Sequence, residues 1–117
     1  MTDSKTLITT LNDMVLQGNM MEAFEKFYAD DVIMQENGLT PTVGKHANRK
    51  REEEFLNNLI DFRSAQLLDV AYGDDLSMVK WAYDYTHKEW GTKKYTQVSV
   101  QHWRNGQIVK EQFFYNS

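Results

Sequence analysis

Asn105-Gly106 stands between two segments of alternating residues, and no other feature of this 117-residue chain restricts its fold so tightly. A two-residue type I′ turn needs positive φ at both central residues, which asparagine and glycine tolerate, and its twist matches that of paired strands. Lys94–Arg104 and Gln107–Tyr115 are therefore read as the arms of one hairpin. Trp90-Gly91-Thr92 tips a second hairpin, whose other arm runs from Leu76 to about Glu89. Gly73-Asp74-Asp75 turns into that arm from a strand between Phe62 and Tyr72. The outcome is a four-strand antiparallel meander. Strands this long twist and curl, so one face of the sheet becomes concave.

Before Phe62 the period is helical. Leu7, Leu11, Met14 and Val15 recur at three- and four-residue steps over Ser4–Gln17, with Ser4 as N-cap and Gly18 as the stop. Asn19, with Glu22 three positions on, reads as a capping box for a short helix that buries Ala23, Phe24, Phe27 and Tyr28. Asp30-Asp31 ends that helix, Val32–Met34 forms a short strand, and Glu36 to Pro41 forms a loop. A third helix is expected from Gly44 to about Ile60, with its apolar contacts at Phe55, Leu56 and Leu59. Its charged run, Arg49-Lys50-Arg51-Glu52-Glu53-Glu54, sets Arg49 four residues from Glu53 and Lys50 four from Glu54. That is the spacing of ion pairs along a solvated helix face. Helices first and sheet second make one α+β domain over residues 1–117, with the helices covering the concave side.

Composition then removes whole classes of function. A hydrophobic share of 41% supports one real core, and a net charge of -4 argues against a nucleic-acid partner, which needs a basic stripe. No basic start leads into an apolar run and no segment is long enough to span a bilayer, so no membrane association is expected. The lack of cysteine removes disulfides, thiolate nucleophiles and cysteine-based zinc sites, and it fits a reducing compartment, the cytoplasm. His46, His87 and His102 fall on different elements without metal-ligand spacing. The glycines are scattered singly, so there is no phosphate-binding loop, and no Gly-x-Ser-x-Gly elbow occurs. No metal or other cofactor is expected.

The order of these elements is itself a signature. A helix, a short helix, Phe27-Tyr28-Ala29-Asp30-Asp31-Val32, a loop, Gly44 opening a third helix, and long hairpins ending Trp103-Arg104-Asn105-Gly106-Gln107-Ile108-Val109 resemble the nuclear transport factor 2-like superfamily. Within it, the likeness is to the SnoaL-like and ketosteroid-isomerase-like branch, and it covers nearly the whole chain. The resemblance implies a cone-shaped barrel, with the sheet wrapped around the helices and an apolar cavity between them, and a homodimer formed through the sheet. It leaves function open, because the superfamily hosts isomerases, cyclases, dehydratases and binding proteins. One reading is a non-catalytic domain binding a small apolar molecule. The other is a polyketide-cyclase-like or isomerase-like enzyme acting on a small apolar carbonyl compound.

The resemblance also suggests site residues. The isomerase base, a carboxylate just after the first strand, corresponds to Glu36; the oxyanion-stabilising tyrosine and aspartic acid correspond to Asn12 and Gln101. Amides donate hydrogen bonds but are not acidic donors, and loss of one good oxyanion donor costs on the order of 3–4 kcal/mol. Steroid isomerisation is therefore not expected. Pleat alternation places Ser99, Gln101 and Trp103 on one face with Gln97, and Val98, Val100 and His102 on the other. With Gln101 facing the cavity, Ser99 and Trp103 join the ligand-lining candidates. Trp81, Tyr83 and Tyr85 alternate on the preceding strand and could supply a phenol, although an aromatic row more often packs a core. His87, near a hairpin tip, is expected to be exposed. Val98, Val100 and His102 on the convex face mark the expected dimer interface. Glu36 is expected to enter the cavity, near Gln101 or a tyrosine hydroxyl, with its pKa raised by burial.

Overall fold

The computed structural model describes residues 3–116. Three helices, α1 (Ser4–Leu16), α2 (Met20–Phe27) and α3 (Lys45–Asn57), pack into a curved sheet of six strands. The strands are β1 (Tyr28–Glu36), β2 (Thr42–Val43), β3 (Leu59–Gly73), β4 (Leu76–His87), β5 (Gly91–Arg104) and β6 (Gln107–Tyr115), in the spatial order β2-β1-β6-β5-β4-β3. The meander is as expected, and Asn105 and Gly106 both have positive φ, 54° and 79°. Gly106→Ala should cost about 1 kcal/mol, because a side chain is strained at this φ. Chemical denaturation of the variant measures this directly.

The first half departs from the sequence reading in several places. Asp3, not Ser4, caps α1 by accepting the Thr6 N–H at 2.9 Å, which frees the Ser4 hydroxyl to donate to the Gly73 carbonyl at 2.5 Å. Asn19 makes no side-chain cap to α2. Tyr28 leaves the helix and opens a nine-residue β1, longer than the three-residue strand expected. That strand pairs parallel to β6, so the sheet is mixed, and β2 adds a short strand between the expected loop and the third helix. The third helix ends at Asn57, because Leu59 and Ile60 already belong to β3.

The core lies between α1, α2 and the inner face of the sheet. Ile8, Leu11, Phe24, Phe27, Val32, Val79, Trp81, Trp103 and Ile108 are all buried there. Phe24 stacks on Tyr28 with ring centroids 4.8 Å apart, and Phe27 meets Trp103 edge-on at 6.0 Å. Asn48 pins the second corner of the fold. Its amide nitrogen donates to the carbonyls of Val32, Thr42 and Gly44 at 3.3, 3.0 and 2.8 Å, tying β1, β2 and the start of α3 together. No helix among the described residues is long and apolar enough to cross a membrane.

A buried carboxyl network as the candidate site

Alternation on β5 holds as read: Gln97, Ser99, Gln101 and Trp103 face inward and are buried. Opposite Gln101 in the antiparallel register stands Glu111 of β6, buried to 2% exposure. Gln101 Nε2 donates to Glu111 Oε2 at 2.8 Å, and the Tyr28 hydroxyl donates to Glu111 Oε1. Behind them the chain of bonds continues. Ser77 Oγ donates to Gln101 Oε1 at 2.6 Å and accepts from Trp103 Nε1 at 2.9 Å. Every donor in the line has an acceptor, so the network fixes one orientation of the Gln101 amide.

A charged carboxylate here would have poor solvation. Burial pushes the Glu111 pKa up to about 7, against the opposing effect of its bonds from Tyr28 and Gln101. Glu52, half-buried on α3, is also pushed up to about 7, first by desolvation and then by the charge of Glu111. Two phenols share the neighbourhood. Burial and the nearby Glu111 carboxylate hold both Tyr28 and Tyr83 well above the usual tyrosine range. No lysine or arginine among the described residues is buried to balance these groups. The arrangement can therefore hold a proton near neutral pH and pass it on, which is what acid–base chemistry requires of a carboxyl.

Glu36 sits at the rim of this region. Its carboxylate pairs with Arg51 Nη2 at 2.6 Å, while Arg51 Nη1 donates to the Thr42 hydroxyl at 3.1 Å. The Tyr115 hydroxyl lies close to it, and burial with the Glu36 charge pushes that phenol up to about 12. The charged run on α3 thus does not pair along its own helix. Arg49 reaches Glu25 of α2, Arg51 reaches Glu36, and Glu52 turns inward. Asn12 is buried on α1.

Trp81 and Trp103 take part in the core, and Ser99 is buried between Gln97 and Gln101 on the same face. Tyr83 stacks on Trp81 at 5.9 Å, and the Tyr85 and Tyr95 hydroxyls are 2.8 Å apart. His87 corrects its expectation. It is buried, stacked 3.8 Å beneath Trp90 and flanked by Phe55, and its Nδ1 accepts the backbone N–H groups of Glu89 and Trp90. His102 is exposed on the outer face. A recess of about 330 Å³ is lined by Ser64, Gln66, Ala82, Tyr83, Asp84, Lys94, Tyr95 and Thr96 of β3, β4 and β5.

Glu111, Glu52, Tyr28 and Ser77 were not singled out from sequence. Strict alternation along β6 starting from inward Ile108 would send Lys110 and Gln112 inward. Instead Trp103 pairs with Ile108 and His102 with Lys110, so one extra residue at Val109 resets the phase and turns Glu111 in. Glu52 carried a readable signal: it lies four residues after buried Asn48 and three before Phe55, on one helix face.

Comparison with known proteins agrees with this architecture. A family model described as SnoaL-like domain matches residues 1–115. No curated protein matches the sequence. Among solved structures, a protein from Mesorhizobium loti provisionally described as a SnoaL-like polyketide cyclase superposes with a TM-score of 0.88 at 24% identity, covering 98% of this chain and 100% of its own. A protein of unknown function with a cystatin-like fold from Xanthomonas campestris gives 0.84 at 13% identity, over 99% of this chain and 92% of its own. An NTF2-like protein of unknown function from Burkholderia pseudomallei gives 0.79 at 10% identity, over 99% and 92%. At these identities the likeness is one of fold.

Proposed function

The chain belongs to the SnoaL-like domain family, and from that premise we propose that it binds a small, largely apolar molecule whose single polar head meets Glu111. The observation that carries the reading is the Glu111 carboxyl itself. It is buried, held from both sides by Tyr28 and Gln101, and has no buried lysine or arginine among the described residues to neutralise it. Such a group is costly to keep unless it serves a purpose, and donating or accepting a proton at a ligand's carbonyl is that purpose. Aromatic surfaces of Tyr28, Trp81 and Tyr83 suit the apolar body of the ligand. The absence of cysteine fits a cytoplasmic setting.

A catalytic version of this reading is favoured by one further observation, the second raised carboxyl at Glu52. Two such groups with their pKa values near neutrality allow one to donate while the other accepts, as a proton shift beside a carbonyl needs. The base in that version is Glu111 with Glu52. Glu36, neutralised by Arg51, orders the rim.

The test uses 1-indanone, a small neutral aromatic ketone, and follows tryptophan fluorescence from pH 5.5 to 8.5. A ketone oxygen accepts a hydrogen bond from protonated Glu111 and is repelled by its carboxylate, so affinity should fall as pH rises through about 7. Glu111→Gln offers an amide N–H at every pH and should bind with little pH dependence. Binding that ignores both the substitution and the pH would refute the assignment of Glu111.

A further inference from the structure

Ser77, Gln101 and Glu111 stand in one row across β4, β5 and β6, each directly opposite the next in the antiparallel register. All three are buried, Ser77 to 0% exposure. The hydrogen bonds along the row have a direction. An indole N–H only donates, so Ser77 Oγ must accept where it meets Trp103 Nε1. The Ser77 hydroxyl carries one proton, and the Gln101 side chain is its only acceptor among the described residues. Gln101 therefore turns Oε1 to Ser77 and Nε2 to Glu111. Reversing the amide would leave the Ser77 proton without an acceptor and would set an amide oxygen against an ionised Glu111. The titratable groups facing Glu111 are Tyr28 from β1, Glu52 from α3 and Tyr83 from β4.

We propose that Ser77 is a positioning residue: through the Gln101 amide it confines the exchangeable proton of Glu111 to Oε1, the oxygen shared with Tyr28. The inference rests on the reading of Glu111 as the acid of the site. Oε2 faces an N–H donor whether or not Glu111 is ionised, so it is the carbonyl oxygen of the acid form. Oε1 then carries the proton, with the Tyr28 oxygen beside it as acceptor. On ionisation the roles reverse, and the Tyr28 hydroxyl donates to Oε1. A ligand carbonyl that takes a hydrogen bond from the acid thus meets it at Oε1, beside Tyr28, and not on the side of Gln101. Trp103, packed edge-on against Phe27, holds Ser77 as an acceptor and keeps the row from reversing. Leaving the acid form one arrangement where two are conceivable also lowers its proton affinity about twofold.

Carbon-13 NMR of carboxyl-labelled glutamate follows Glu111 without any ligand, its signal assigned by its loss in Glu111→Gln. A Glu52→Gln background removes the second carboxyl that titrates in the same range, while Tyr28 and Tyr83 stay neutral there. Ser77→Ala lets the Gln101 amide reverse, so the acid form gains its second arrangement. The midpoint should rise by about 0.3 pH unit, a twofold change. Ser77→Cys, which keeps the volume with a poorly donating thiol, should shift it the same way. Ser77→Thr keeps the hydroxyl and should titrate as the native residue does. Ile108→Val, equally buried on β6 but outside the row, should lower stability and leave the midpoint in place. In Ser77→Ala the pH dependence of 1-indanone binding should move with the NMR midpoint. A midpoint unmoved by both Ser77→Ala and Ser77→Cys would overturn the proposal, as would an equal shift in Ile108→Val. A shifted midpoint with no ketone binding at any pH would instead refute the ligand reading and leave the role of Ser77 standing.

Discussion

Asn48→Leu should lower the unfolding midpoint by about 10 °C, although leucine has the same number and branching of side-chain heavy atoms as asparagine. The amide is buried and donates to three carbonyls on β1, β2 and the first turn of α3. The Val32 and Gly44 carbonyls retain backbone donors from Gly44 N and Asn48 N, so the loss falls chiefly on the Thr42 carbonyl and on the joint itself. A buried acceptor stripped of its donor costs about 1–3 kcal/mol. With loosening of the β1–β2 pairing added, the total is on the order of 2–3 kcal/mol, and about 4 °C per kcal/mol is typical at this size. Calorimetry on both proteins checks the figure. A shift under 2 °C would mean that the amide joint carries no stability.

Stability should fall as the pH rises from 5 to 8, the reverse of what ion-paired carboxylates produce. Glu111 and Glu52 have folded-state values of about 7, above the unfolded value near 4.5. Between those limits the folded chain holds more protons than the unfolded one, so raising the pH favours unfolding. The penalty is absent below about pH 4.5 and fully present above about pH 7. A pKa raised by one corresponds to about 1.4 kcal/mol, and for two carboxyls that repel each other the combined effect is on the order of 3 kcal/mol. Glu111→Gln should raise the midpoint at pH 8, leave it little changed at pH 5, and flatten the profile. Thermal melts at four pH values decide the matter; a native profile that is flat or rising from pH 5 to 8 contradicts the account.

The two halves of the molecule were unequally legible in the sequence. The meander could be read because turn chemistry at Asn105-Gly106 and alternation along β4 and β5 report the same local physics. The parallel pairing of β1 with β6 could not be read, because it joins residues far apart in the chain and leaves no periodic trace. Tyr28 illustrates the difficulty at one residue. Its spacing from Phe24 suits a helix, and the rings do stack, yet its backbone is already extended at φ -100° and ψ 131°. Gln101 was found by alternation, which then failed at Val109, where the inserted residue changed the phase. His87 was read as exposed from its place near a hairpin tip, but Trp90 folds back over it.

The parallel joint between β1 and β6 also governs when the candidate site can exist. Tyr28 and Glu111 are 83 positions apart, and Glu111 lies on β6, the last of the six strands along the chain. Closing so long a loop is slow, and contacts of this separation dominate the folding time of small domains. During synthesis the helices and the first hairpin can form while β6 is still within the ribosome. Through that interval Tyr28 faces an unfinished sheet, and β1 presents a free edge of its own. The domain's chemistry is thus assembled last, in the same step that closes its fold, so a partly folded chain lacks the Tyr28–Glu111 contact altogether.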